Sequence, residues 1–159
     1  MAEAAGSDSS LWQGALAGIA ARTRGNIVAM SRKAEEAVTA PHDPGAFPAR
    51  WRLAVAARIA NLNGLADIAG HYLAGVSDPA LRALAEPSAA GRDDRERAVL
   101  AFMDKVAAET RAVAAEDIEG LKAAGVADAD IVRLCELNAF MSYQARVFAG
   151  LAILQGESA

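Results

Sequence analysis

Apolar residues recur at every third or fourth position along most of this chain, and this spacing limits the fold more than any other feature. In one segment Val99, Phe102, Met103 and Val106 follow it closely, as expected for the buried face of a helix. Valine and isoleucine do not alternate with polar residues over a convincing length, so the sequence does not favour strands. We therefore predict an all-α fold of about six to eight helices.

The composition fits a single helical domain. The chain has 159 residues, enough to bury a sizeable core, and 53% of them are hydrophobic while only 5% are aromatic. Such a core consists mainly of Ala, Leu, Val and Ile, and alanine is the best helix former. We predict a disordered N-terminus over residues 1–8, which are small and polar, and one helical domain over residues 9–155.

Capping and turn residues divide this domain into segments. Ser9 and Ser10 are candidate N-caps for a helix that begins at Leu11, and Asp78 is a candidate cap for another. Residues 86–91 hold Pro, Ser and Gly and predict a mobile linker. Helices are predicted over 26–38, 48–62, 65–73, 80–85, 116–124 and 129–154, with one more that starts at residues 93 and 94. In the first of these, the expected buried face consists of Ile27, Met30, Ala34 and Val38.

The last predicted helix is apolar on more than one face. Its apolar residues are Ile131, Leu134, Leu137, Phe140, Met141, Val147, Phe148, Leu151 and Leu154. A helix of this kind is normally buried on all sides. In so small a domain, part of it is expected to pack against another subunit, so we predict a homo-oligomer. The alternative is a central helix in a monomeric bundle.

The charge balance argues against two classes of partner. The chain has 16 Lys and Arg against 20 Asp and Glu, a net charge of -4, so we expect neither nucleic acid nor an anionic membrane to bind. No stretch approaches the roughly 18 to 20 apolar residues of a membrane span, and the first residues lack the pattern of a signal peptide. Cys135 is the only cysteine, which fits a reducing compartment, so we expect a cytoplasmic protein.

Motifs that bind cofactors or metals are missing from the sequence. It contains no phosphate-binding Gly-rich loop, no Gly-x-Ser-x-Gly turn and no His-Glu-x-x-His motif. His42 and His71 are the only histidines, and two histidines alone do not define a metal site. We expect no cofactor and no bound metal.

A resemblance to a known family covers about two thirds of the chain, from Pro48 to Leu154. Residues 50–72, with Asn63-Gly64 between two helical segments, resemble the active-site helix pair of alkylhydroperoxidase D and carboxymuconolactone decarboxylase proteins. In that family a helix ends in Asn-Gly and runs into Cys-x-x-Cys followed by histidine. The segments 99–103, 115–125 and 128–131, and a last helix with Asn138 and Arg146, look like the same family.

The resemblance implies that the catalytic residues of the peroxidase branch are absent here. In that branch a glutamate, two cysteines and a histidine cooperate, and a thiolate attacks the peroxide. Counted from Asn63-Gly64, the two cysteine positions are Leu65 and Ile68, the glutamate position is Leu53 and the histidine position is Tyr72. The chain therefore looks most similar to a cysteine-less branch, and the resemblance suggests a cysteine-containing paralogue as a partner.

His71 is the residue of this region best suited to chemistry. It lies one residue before the usual histidine position, and Asp67 stands four residues earlier on the same helix face. Such a pair suits proton transfer, because the carboxylate orients the imidazole and raises its basicity; it is equally consistent with an exposed ion pair. Tyr72 is a candidate proton or hydrogen-bond donor, or a packed ring whose hydroxyl reaches water.

Cys135 and a set of three polar residues on the last helix each have a functional and a structural interpretation. Cys135 stands between leucines, where a free cysteine mostly behaves as a small hydrophobic residue; a peroxidatic role needs an exposed thiolate near cations such as Arg133. Asn138, Ser142 and Arg146 recur every four residues on the last helix. They are expected to line a small polar pocket or an interface, or to bond a neighbouring helix.

These observations lead to three hypotheses for the function. The first is a non-peroxidatic partner or scaffold subunit. The second is an acid-base enzyme without catalytic cysteine, of the decarboxylase or isomerase type, that uses His71 with Asp67 and Tyr72 as candidate catalytic residues. The third is hydroperoxide reduction through Cys135, as an antioxidant activity typical of the family.

Overall fold

The structure, a computed structural model, describes residues 25–154. This part of the chain forms helices and one 3₁₀ turn, Thr110–Ala112, and contains no strand. The helices are α1 (Gly25–Thr39), α2 (Ala49–Leu62), α3 (Ala66–Ala74), α4 (Pro79–Ala83), α5 (Asp94–Ala108), α6 (Ala115–Ala123) and α7 (Asp128–Leu154). The all-α prediction is confirmed for these residues. The predicted disordered segment 1–8 and the helix predicted from Leu11 lie outside them.

Helix α2 is the most enclosed element of the fold. It packs against α1, α3, α4, α5 and α7. Its buried residues are Trp51, Arg52, Ala54, Val55, Ala56, Ala57, Arg58, Ile59 and Ala60. Four of these are alanines, whose small side chains let the neighbouring helices approach closely. Helix α2, rather than the last helix, is therefore the centre of the bundle.

Helix α7 is buried on one side only. Leu134, Leu137 and Met141 are in the core, whereas Val132 is 56% exposed and Ile153 is 63% exposed. Helix α7 is therefore not the central helix of the single chain. No helix among residues 25–154 is both long enough and apolar enough to cross a membrane.

Two side-chain contacts join α2 to α5. The Arg58 guanidinium donates two hydrogen bonds to the Asp104 carboxylate, at 2.6 and 2.7 Å. The Trp51 indole N–H donates to Oε1 of Glu96 at 2.9 Å. Trp51 and Glu96 are both less than a tenth exposed, so their contact is shielded from solvent, whereas the Asp104 side chain is 27% exposed. The register between the two helices is thus set by polar pairs as well as by apolar packing.

Arg58 also holds the segment that follows α4. Its guanidinium donates to the backbone carbonyls of Leu84, Glu86, Pro87 and Ala89, at distances between 2.7 and 3.1 Å. The residues predicted as a mobile linker are therefore tied to the centre of the bundle. The sequence could not show this, because the donor lies on another helix.

Gly91 closes that segment against α5. A Cβ built on Gly91 would lie 2.4 Å from the backbone nitrogen of Arg97, so no larger residue fits there without movement of the backbone. Helix α5 then begins as predicted, with the Asp93 carboxylate accepting a hydrogen bond from the Glu96 backbone N–H at 2.7 Å. Asp78 caps α4 in the same way, accepting from the Ala80 N–H at 2.9 Å.

Candidate functional site

His71 lies in the last turn of α3 and faces a carboxylate of α1. Its Nε2 is 3.6 Å from Oε1 of Glu35, and the two side chains are only 17% and 15% exposed. An imidazole and a carboxylate at this distance attract each other when the imidazole is protonated, and the attraction is stronger where water is largely excluded. The pair is nevertheless open enough to exchange protons with solvent or with a bound molecule.

Tyr72 lies directly beside this pair and is buried. Its hydroxyl donates to Oε1 of Gln144 on α7 at 2.9 Å, and its ring meets the His71 ring edge-on with centroids 5.2 Å apart. Burial raises the pKa of the Tyr72 phenol far above its usual range, and the negative charge of Glu35 raises it further. The phenol therefore stays protonated at any physiological pH and acts only as a hydrogen-bonding group.

Gln144 completes the cluster from the opposite helix. Its side chain is fully buried, and its Nε2 has no hydrogen-bond partner among the described residues. A buried amide donor without a partner costs free energy, about 1 to 3 kcal/mol in typical cases. We refer to Glu35, His71, Tyr72 and Gln144 as the polar cluster.

Asp67 does not belong to the polar cluster. It is exposed on α3, and the structure shows an ion pair of His71 with Glu35 but none with Asp67. The side chain of His71 is turned towards α1, away from the solvent-facing side of its own helix. The carboxylate beside His71 therefore comes from a distant part of the chain rather than from four residues earlier.

The two positions that the resemblance assigns to cysteine hold packed apolar side chains. Ile68 is 5% exposed and part of the core, and Leu65 and Leu53 pack against it. No thiol is present at this point of the fold. Peroxide chemistry of the kind that the resemblance implies for the peroxidase branch cannot take place there.

Cys135 is separated from the polar cluster. It precedes Gln144 by nine residues on α7, about 13 Å along the helix axis. Burial raises the pKa of the Cys135 thiol, and the charge of Glu136 raises it further. A thiol in this state is a poor nucleophile at neutral pH, and these observations favour its structural role.

The other polar candidates do not converge. The Asn138 amide donates to the backbone carbonyl of Met103 at 2.9 Å, which is the role of a residue that bonds a neighbouring helix. Arg146 is exposed and donates to the Ser142 carbonyl within its own helix. His42 is exposed, and no group of three or more potential metal-binding side chains occurs among the residues that the structure describes.

Helix α1 buries only part of the face that was predicted for it. Met30 is 67% exposed and Ala34 is exposed, whereas Ser31 and Thr39 are buried and Glu35 is largely buried. The buried face is therefore mixed: Val28 and, as predicted, Val38 pack against the core, and the polar residues of this face recur at four-residue spacing. The side chain of Ile27 lies outside the described residues. This spacing of Ser31, Glu35 and Thr39 was the sequence signal that could have revealed Glu35.

An open cleft of about 440 Å³ lies between α1 and α7, next to the polar cluster. It is lined by Met30, Ser31, Ala34, Ala139, Phe140 and Tyr143. The hydroxyls of Ser31 and Tyr143 are hydrogen-bonded to each other at 2.7 Å. A volume of this size lies within the range of small-molecule sites.

No protein-family model, curated protein or solved structure matches this chain. The function is therefore inferred from the arrangement of residues in the polar cluster and the cleft.

Proposed function

We propose that this chain is an acid-base enzyme without a catalytic thiol, acting on a small carbonyl acid in a decarboxylation or an isomerisation. The observation that supports this proposal best is the pair of His71 and Glu35, which stands 3.6 Å apart and largely out of solvent. In this proposal the chain has the helical fold of the family that residues 48–154 resemble. Its reactive groups are the Glu35 carboxylate and the His71 imidazole rather than a pair of cysteines.

In the proposed reaction His71 transfers the proton. Glu35 faces Nε2, so it favours the tautomer with a proton on that nitrogen and stabilises the imidazolium when it forms. Nδ1 then holds the lone pair that accepts a proton from the substrate and later returns it. Gln144 holds the Tyr72 hydroxyl, and the Tyr72 ring packs edge-on against the His71 ring, so these two buried side chains position the imidazole.

Turnover of β-keto acids and carboxylated unsaturated lactones tests this proposal, with release of CO₂ or change of absorbance as the readout. We expect His71→Gln to lower kcat by about 100-fold or more, the usual contribution of a positioned acid-base group. Glu35→Gln is expected to lower kcat less and to alter the imidazole ¹⁵N chemical shifts of His71. Asp67→Asn is the matched control, an exposed carboxylate one turn from His71, and is expected to change neither.

The thiol is tested in the same series. Peroxide consumption with a dithiol reductant is expected to be the same for the parent and for Cys135→Ser. If Cys135→Ser lost peroxide consumption, the reactive group would be the Cys135 thiol on α7. Full turnover in a folded His71→Gln variant, or no turnover of any substrate by the parent, would contradict the acid-base proposal.

A second candidate function is that of a non-catalytic subunit in an oligomer, either with itself or with a cysteine-containing paralogue as the family resemblance suggests. It is favoured by the large apolar side chains that α7 leaves in solvent, Val132 at 56% and Ile153 at 63%. Such exposure on a helix that is otherwise part of the core is typical of a surface covered by another subunit.

Sedimentation velocity of the purified chain tests this second candidate. We expect the parent to sediment as an oligomer and the variant with both Val132→Glu and Ile153→Glu to sediment as a monomer, because charges are costly to bury in an apolar interface. Ala101→Glu is the control, an exposed alanine on α5. A parent that is monomeric at every concentration would rule out self-assembly.

A further inference from the structure

We propose that the cleft between α1 and α7 is a small-molecule binding site of its own, beside the polar cluster. It takes a small uncharged molecule with a flat apolar body and one hydroxyl or carbonyl group. The inference goes beyond the proposed function: the substrates proposed for His71 are acids that are charged at neutral pH, whereas no cation lines this cleft.

The walls of the cleft favour a flat apolar body. The Phe140 and Tyr143 rings stand 6.1 Å apart with their planes inclined by 47°, and the exposed Met30 side chain lies on the opposite helix. Ala34 and Ala139 occupy the space between, and their small side chains leave it open. Aromatic rings and a thioether bind flat apolar groups well because both are polarisable.

The polar groups of the cleft favour an uncharged ligand with one hydrogen-bonding group. None of the residues that line it is charged. The hydroxyls of Ser31 and Tyr143 bond to each other at 2.7 Å, and each can exchange that bond for one to a ligand. A charged group placed there would lose its hydration without gaining an opposite charge.

The cleft adjoins the polar cluster through two pairs of neighbouring residues. On α1, Ser31 lies one turn before Glu35; on α7, Tyr143 directly precedes Gln144. The side chain of Gln144 is fully buried, and none of the four residues of the polar cluster lines the cleft. The cleft is therefore a neighbouring but separate site.

Binding of 2-naphthol, followed by its fluorescence, tests the proposal. This probe is flat, uncharged at neutral pH and has one hydroxyl. We expect Ala139→Phe, which fills the cleft from an exposed position, to weaken binding at least about tenfold, and Tyr143→Phe to weaken it by up to about tenfold. Ala101→Phe adds the same ring to an exposed position on α5 and is expected to leave binding unchanged.

Several outcomes would overturn the proposal. The first is that the parent and Ala139→Phe bind 2-naphthol equally tightly. The second is that the parent binds naphthalene-2-sulfonate as tightly as 2-naphthol. The third is that Ala139→Phe converts an oligomer to a monomer with no change in probe binding. The last result would assign the cleft to a second copy of the chain.

The His71→Gln variant separates this inference from the proposed function. We expect it to bind 2-naphthol like the parent, because His71 does not line the cleft. Intact probe binding in the parent, together with unchanged turnover in His71→Gln, would refute the acid-base proposal and leave the binding site standing.

Discussion

Replacing Arg58 with methionine is expected to lower the free energy of unfolding by about 4 kcal/mol, because a lost donor costs about 1 to 3 kcal/mol for each acceptor that stays buried without a partner. The guanidinium is 3% exposed and bonds both the Asp104 carboxylate and four backbone carbonyls between residues 84 and 89. Methionine fills the volume of the stem but offers no donor, so the carboxylate and the buried carbonyls lose their partner.

Denaturant unfolding at neutral pH measures this effect. Arg50→Met is the matched control on the same helix, because Arg50 is exposed and, among residues 25–154, its side chain bonds the Ser77 hydroxyl alone. It is expected to change the free energy of unfolding by less than about 1 kcal/mol. Arg58→Lys keeps the charge but lacks the planar fork, so it should fall between the two. A stability of Arg58→Met within about 1 kcal/mol of the parent would show that the guanidinium does not hold the segment.

Glu96→Gln is expected to destabilise the fold by about 2 to 3 kcal/mol at pH 7, and by less as the pH falls. The Glu96 carboxylate is 7% exposed and accepts hydrogen bonds from Trp51 and from the side chain and backbone of Arg92. The hydrogen bonds from Arg92 lower the pKa of Glu96 from its ordinary value of 4.5 to about 2, although burial opposes this shift.

The sign of the pH dependence follows from the direction of that shift. Because the folded protein holds the carboxylate ionised to a lower pH than the unfolded chain does, its contribution is fully present above about pH 4.5 and is lost as the pH falls towards 2. Unfolding of the parent and Glu96→Gln should therefore converge between pH 4.5 and 2. Glu116→Gln, an exposed carboxylate at the start of α6, is the control. A difference between parent and Glu96→Gln that stays constant down to pH 3 would contradict the assignment.

Both predictions concern the contact between α2 and α5, which supports α3 and thereby His71. Helix α3 packs on α2 more extensively than on any other element. Loosening of α2 is thus expected to disturb the polar cluster, although none of Arg58, Trp51 or Glu96 touches it. The stability variants and the activity variants should accordingly be compared under conditions in which all of them are folded.

The helices themselves were largely predictable from local sequence. The periodicity around Val99 and Phe102 and the caps at Asp78 and Asp93 placed α4 and α5 within a few residues of their observed bounds. The sequence also showed that Leu65 and Ile68, the two positions compared with the family's cysteines, are not cysteines. These features depend on residues within one or two turns of each other, so no tertiary information was needed.

The buried face of α1 was not predictable in this way. Met30 and Ala34 are more apolar than Ser31 and Glu35, so hydrophobic periodicity placed them on the buried face, whereas of the predicted set Val38 packs against the core. Ser31 and Glu35 are buried because α7 and α3 supply partners, the Tyr143 hydroxyl for Ser31 and the His71 imidazole for Glu35. A polar residue can be buried only where a partner meets it, and that partner lies elsewhere in the chain.

The same distinction, between contacts within one helix and contacts between distant segments, holds for the rest of this protein. Helix formation depends on backbone bonds that span four residues, and the chain therefore specifies its helical class and the approximate position of its helices without reference to packing. The carboxylate that meets His71, the amide that meets Tyr72 and the guanidinium that holds residues 84–89 are set by contacts between distant segments. Only the packing of the helices brings those groups together, because the cost of burying each polar group is offset solely by its partner.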